Sequence, residues 1–194
     1  MLALKELNNV AKYIYEIGHM KRVKRSGWWI AGINDPESIA EHTLRTAILG
    51  YILASLDGNA DPQKTAMICL FHDTGETRIN DLHRVSKRYI NVGRDEEKAL
   101  TEQVERLPQD IAENILALFE DYEARISLEA ILAKDADLLE CIFQAREYQV
   151  QGYADVDDWI TNCYAGLQTD IARKLADSCM QVEPKEWWQG LKIK

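Results

Sequence analysis

The chain has 194 residues, of which 46% are apolar and 28% charged, a globular composition rather than a disordered or collagen-like one. At about 150 residues per domain, one domain is expected. With 23 basic against 32 acidic residues the net charge is −9, the wrong sign for a protein that coats a nucleic acid polymer. An anionic substrate would therefore need a local basic patch or a metal.

Ten Gly and four Pro are too few for a turn-rich all-β fold. The longest apolar run, Ala47 to Leu56, already contains Gly50 and Ser55 and is too short to span a membrane. The opening stretch, Met1 to Tyr13, has no basic n-region and no unbroken apolar run, so no signal peptide and no membrane association are expected. Cys69, Cys141, Cys163 and Cys179 lie far apart with no C-x-x-C, and read as reduced thiols of a cytoplasmic protein.

Hydrophobic spacing is helical nearly throughout. Leu4, Leu7, Val10, Ile14 and Ile17 form one stripe on an opening helix. Ser38-x-x-Glu41 is a capping-box pattern before a helix that reaches about Leu56. Asp61-Pro62 is an N-cap followed by Pro at the first helical position, starting a helix that runs towards Gly75. Shorter helical pieces are expected to about Asn91, then helices near Asp95–Leu107 and Pro108–Tyr122. Ser127 opens a long helix to about Gln151, and Val156 to Ser178 is the last strong one. No segment alternates as a strand does, so the fold class is all-α.

Two segments are poorly explained by helix packing. Lys21 to Trp29 (KRVKRSGWW) is a basic loop ending in paired Trp, and Asn80 to Arg88 (NDLHRVSKR) is polar and basic. Trp28-Trp29 is read either as a core plug or as part of a site. For Trp187-Trp188 the two readings are a core plug or a subunit contact.

Histidines are scarce: 19, 42, 72 and 83. His72-Asp73 ends an apolar helix, His42 lies in the first turn of the helix capped by Ser38, and Asp137 lies within a long apolar helix. Imidazole nitrogen and carboxylate oxygen suit borderline and hard divalent ions, so two His and two Asp would make one site with positions left for water and substrate. Asp135 and Asp137 fall on different helical faces, and spacing does not say which is buried. Glu76, four residues after His72, would point the same way on a continuous helical turn, unless Gly75 breaks it.

The ordered set His42, His72-Asp73, Asp137 resembles the HD-domain superfamily of metal-dependent phosphohydrolases, whose signature is H…HD…D on a helical bundle. Pro36 to His42 (PESIAEH), Phe71 to Glu76 (FHDTGE), Asn80-Asp81-Leu82, Lys24 to Trp28 (KRSGW) and Lys134-x-x-Asp137 are similar to its 5′-deoxynucleotidase branch. The similarity runs from about Leu4 to Tyr148. It implies a single HD-domain helical bundle over 1–194, with the motifs in about 4–148 and a C-terminal helix and tail in 149–194.

The resemblance also implies roles. His42, His72, Asp73 and Asp137 would hold one divalent ion, drawn from Co²⁺, Mn²⁺, Mg²⁺, Zn²⁺ and Fe²⁺. Glu76 would be the acid/base, with Asp73 beside it in the catalytic set. Arg25 and Trp28 match a substrate-side Arg-Trp pair, here separated by Ser26-Gly27, and Asp81 matches a residue that touches the sugar, with Asn80 where the branch has Gly. His83 and Arg84 replace small residues or Pro, and their charge suggests phosphate contacts. The implied reaction is phosphate release from nucleoside 5′-monophosphates, above all deoxynucleotides, by a homodimer.

Rival HD enzymes differ in detail. Dinuclear members need extra His ligands between the His-Asp pair and the last Asp, where this chain has only His83. No G-Y-P follows His72-Asp73, as a cyclic-di-GMP phosphodiesterase would require. A ppGpp hydrolase shares H…HD…D, but its other motifs are not evident. The non-enzyme alternative is a helical regulator with a structural metal.

Overall fold

The computed structural model describes residues 4–90 and 93–191, and every regular element among them is helical. The β-type pairing seen there is an isolated antiparallel bridge between Lys24 and Ser38. The all-α expectation is met. In chain order the helices are α1 (Leu4–Ile17), α2 (Gly27–Ile30), α3 (Ile39–Asp57), α4 (Pro62–Phe71), α5 (Glu76–Ile79) and α6 (Arg84–Lys87). They continue as α7 (Gly93–Val104), α8 (Gln109–Ala124), α9 (Leu128–Val150), α10 (Asp157–Gly166) and α11 (Asp170–Gln181), with 3-10 turns at Gly18–Lys21 and Glu186–Trp188.

Local chemistry sets the helix starts. Ser38 Oγ accepts from the Glu41 amide while Glu41 Oε2 accepts from the Ser38 amide at 2.6 Å, the reciprocal box expected at the head of α3. Asp61 Oδ1 accepts from the Gln63 and Lys64 amides ahead of α4, and Ser127 Oγ accepts from the Ala130 amide ahead of α9. α3 stops at Gly58, whose φ of 78° suits glycine.

α9 is the central rod, packed by α3, α4, α8, α10 and α11. Leu132, Leu139 and Ile142 of α9 meet Leu49 and Leu53 of α3 and Ile68 of α4 in the main core. Each such side chain contributes about 1.5–3 kcal/mol by leaving water. A smaller core joins Tyr13 of α1, Leu100 and Val104 of α7, and Ile115 and Phe119 of α8. α3 and α4 approach closely at Gly50, where a Cβ would lie 2.6 Å from Cys69 Sγ. That contact brings together the two helices whose ends carry His42 and His72.

Three local expectations change. The α1 stripe is not wholly buried: Val10, Tyr13 and Ile17 pack inward, whereas Leu4, Leu7 and Ile14 are exposed. The last helix is two, α10 and α11, because Leu167 is extended and Thr169 starts anew by accepting from the Ala172 amide. α4 ends at Phe71, and the chain turns through 72–75 before α5, with the Glu76 amide donating to the Asp73 carbonyl. Asn91, the expected end of the short pieces, lies outside the described residues.

Candidate active site

Four elements aim side chains at one point. His42 comes from the first turn of α3, His72 and Asp73 from the turn after α4, Asp137 from the middle of α9, and Arg25 from the loop before α2. His42 Nε2 lies 3.2 Å from Asp137 Oδ1 and 3.6 Å from Asp73 Oδ2. His72 Nε2 lies 3.1 Å from Asp73 Oδ2 and 4.0 Å from Asp137 Oδ1.

Donor chemistry at the imidazoles is directional. His72 Nδ1 is 2.6 Å from the Cys69 carbonyl oxygen, which only accepts, so Nδ1 carries the proton and Nε2 presents a lone pair. That Nε2 is buried and makes no hydrogen bond. His42 Nδ1 is 2.6 Å from Glu140 Oε2. Thr46 Oγ1, 3.4 Å from His42 Nε2, donates to the His42 carbonyl at 2.8 Å. A buried lone pair beside two carboxylates and a second imidazole is what a divalent cation needs, and His42, His72 and Asp73 lie close enough to share one. Asp137 completes the expected ligand set.

The carboxylates are held in ionised form. Burial opposes charge on Asp73, but His72, Arg25 and His42 prevail and hold it well below the usual carboxylate range. Burial likewise opposes charge on Asp137, and Lys134, His42 and His72 overcome it. Asp137 Oδ2 accepts from Lys134 Nζ at 2.6 Å and from the Tyr122 hydroxyl at 2.9 Å. Its Oδ1 is left facing the imidazoles. Burial and Arg25 oppose protonation of His42, yet Glu140 and Asp137 push its pKa up to about 10, so a bound cation would take the place of a proton on Nε2.

Glu76 heads α5 and is 3% exposed, with Oε2 unpartnered. Burial, then the charges of Asp73 and Asp81, push its carboxyl well above the usual range. Gly75 is itself right-handed helical, but the helix is already interrupted through 72–75, so His72 and Glu76 do not share one continuous helical turn. The lack of a side chain at Gly75 serves packing, since a Cβ there would lie 3.1 Å from the Glu96 carbonyl oxygen of α7.

Arg25 NH1 reaches Asp73 Oδ2 at 3.5 Å and NH2 reaches Asp137 Oδ1 at 4.0 Å. Its loop is pinned from behind: Asp81 Oδ2 accepts from the Ser26 amide at 2.8 Å, the Asp81 carbonyl accepts from Ser26 Oγ at 2.6 Å, and the His83 amide donates to Ser26 Oγ at 3.1 Å. Trp28 belongs to the core, 2% exposed, stacked on Trp159 and edge-on to Tyr148, with Nε1 donating to Glu37 Oε1. His83 Nδ1 accepts from the Ser86 amide and caps α6, while Arg84 is exposed. Trp187 and Trp188 are exposed and plug no core.

Other residues of the site were not picked out by sequence reasoning. Glu140, Tyr122 and Arg45 touch the ligand candidates or their partners, and Lys87, 3.7 Å from Glu96, feels the charges of Glu76, Asp73 and Asp81. Glu140 had a signal: it follows Asp137 by three residues, hence on the same helical face.

A helical bundle that gathers an H…HD…D set at one buried point defines a class of protein, and comparison with known proteins agrees. The HD domain family model matches residues 17–178, and the chain belongs to that family. It is 31% identical over 146 residues to the 5′-deoxynucleotidase HDDC2 of Bos taurus, covering 73% of this chain and 68% of that one. It is 28% identical to the 5′-deoxynucleotidase hdd1 of Schizosaccharomyces pombe, across 100% of this chain and 99% of the other. Among solved structures, a conserved hypothetical protein of Pyrococcus furiosus superposes with a TM-score of 0.77 at 31% identity, over 89% of this chain and 99% of that one.

Proposed function

We propose that this chain is a metal-dependent phosphomonoesterase that converts nucleoside 5′-monophosphates, above all deoxyribonucleotides, to nucleoside and phosphate. The observation that carries this reading is the convergence of two imidazole nitrogens and two carboxylates beside the buried, unpartnered Glu76 and the cationic Arg25. The names of the relatives in cow and fission yeast support the same substrate class.

His42, His72, Asp73 and Asp137 hold one divalent ion in this reading. When bound, such an ion neutralises phosphoryl oxygens and lowers the pKa of a water molecule. Arg25 takes further phosphate charge through its forked guanidinium. Glu76, whose carboxyl burial and the charges of Asp73 and Asp81 push well above the usual range, gives a proton to the leaving 5′-oxygen or relays one from water. Asp73 and Asp137 keep the nearby charge balance and orient the imidazoles. Asp81 fixes the Arg25 loop through Oδ2 and offers its other oxygen to the sugar, Trp28 anchors that loop in the core, and His83 and Arg84 form a basic rim.

The chain acts as one domain over 1–194 and as a homodimer, for which the exposed Leu44, Ile48 and Ile52 of α3 and the exposed Trp187 and Trp188 offer apolar surface. No helix among the described residues is long and apolar enough to cross a membrane. Four free, buried cysteines suit the cytoplasm. The test is phosphate release from a panel of ribo- and deoxyribonucleoside monophosphates with Co²⁺, Mn²⁺, Mg²⁺, Zn²⁺ or Fe²⁺. Metal-dependent release is expected, fastest from a deoxynucleotide, and no release with any ion would overturn the reading.

A further inference from the structure

We infer that Glu140 is a positioning residue of the metal centre, acting through His42 to set how strongly that imidazole binds the ion; this rests on the reading of His42 as a ligand. Glu140 is fully buried on α9, one helical turn beyond Asp137. Its Oε2 lies 2.6 Å from His42 Nδ1. An ionised carboxylate only accepts, so Nδ1 keeps its proton and Nε2, turned towards Asp73 and Asp137, is the nitrogen left to lose its proton to a metal.

The other oxygen is tethered too. Oε1 accepts from Arg45 Nε at 2.8 Å and lies 2.7 Å from NH2, and the same guanidinium bonds Gln144 Oε1 at 2.6 Å and Glu147 Oε1 at 2.9 Å. Arg45 follows His42 by one turn on α3, so imidazole, carboxylate and guanidinium are locked across the α3–α9 seam. A buried ion pair is a poor way to gain stability, since apolar side chains of similar volume fill such a seam as well or better. A carboxylate behind a metal-binding imidazole, in contrast, fixes its ring and raises its basicity, and losing it weakens metal binding typically by about 10–100-fold. His72 has only a neutral carbonyl in the same position, so the two imidazoles are unequal and His42 is the stronger donor.

The experiment compares Glu140→Gln and Arg45→Met, which both remove the Arg45–Glu140 charge pairing but differ in what they leave behind His42. Metal affinity is measured by chelator competition, and the ligand field by the visible absorption of the Co²⁺-loaded protein, alongside circular dichroism. Glu140→Gln is expected to weaken Co²⁺ binding by about 10–100-fold and shift the absorption bands. Arg45→Met, which keeps the carboxylate on Nδ1, should stay within about threefold of wild type whatever its loss of stability. Equal weakening in both variants would make Glu140 a seam residue and overturn the inference, as would wild-type affinity in Glu140→Gln. Both results leave the proposed function standing, whereas a wild-type protein that binds no divalent ion ends both. If Glu140→Gln does not fold, the Zn²⁺-loaded wild type still decides by NMR. An exchange-protected, downfield Nδ1 proton on His42 is expected, and its absence overturns the assignment.

Discussion

Asp135 and Asp137, two residues apart on α9, face different neighbours and do different work. The fully buried Asp135 accepts from the Gln168 amide at 2.8 Å, the Thr169 amide at 2.8 Å and Thr169 Oγ1 at 2.6 Å, tying α9 to the start of α11. Asp137 turns Oδ1 towards His42 and His72.

Substitution should separate the two duties. Asp135→Ala strands three donors and is expected to destabilise the fold by about 2–4 kcal/mol while leaving metal binding intact. Asp137→Ala, although it also strands Tyr122 and Lys134, should abolish stoichiometric metal, which Asp135→Ala does not. Urea unfolding and elemental analysis on both variants check this, and reversed outcomes would exchange the two roles.

Gly50 sets the distance between the helices carrying His42 and His72. Gly50→Ala would press a methyl against Cys69 Sγ at 2.6 Å and Thr65 Cγ2 at 3.3 Å, costing about 1–3 kcal/mol and weakening metal binding. Cys69→Ala in the same chain should restore most of both, because it removes the obstructing atom. Thermal unfolding and metal titration of the single and double variants measure the rescue.

Glu37 gives a pH signature. Burial and the neighbouring Glu140 push its carboxyl from 4.5 up to about 7. Because the folded pKa exceeds the unfolded one, its contribution is full below about pH 4.5 and is lost as the pH rises through about 7. Glu37→Gln keeps an acceptor for Trp28 Nε1 but cannot ionise. With a chelator present, the variant should be the more stable protein at about pH 8, by on the order of 3 kcal/mol, and the gap should close by about pH 4.5. Parallel pH profiles would assign the titration elsewhere.

The site was legible in the sequence where local rules suffice. The Ser38–Glu41 box, the Asp61 cap and the Ser127 cap are side chains satisfying the backbone within a few residues, and each stands as expected. The gathering of His42, His72, Asp73 and Asp137 followed from family resemblance rather than spacing. Long-range partners were hidden for a physical reason. Glu140 finds His42 98 residues away, Asp135 finds Thr169 34 residues on, and Trp28 finds Trp159, pairings that only the packing of α9 against α3 and α11, and of Trp28 in α2 on Trp159 in α10, creates. The break between α10 and α11 was missed for the same reason, since its stabiliser, Asp135, lies on another helix.

The central claim is tested most directly at Glu76, which stands beside the ligand set without belonging to it. Turnover and metal content should be measured on the same preparations of wild type and Glu76→Gln, with a deoxynucleoside monophosphate as substrate. The amide keeps the shape of the side chain but cannot exchange a proton, so metal should be retained while kcat falls by about 10²–10⁴. Full activity in Glu76→Gln with metal bound would contradict the account.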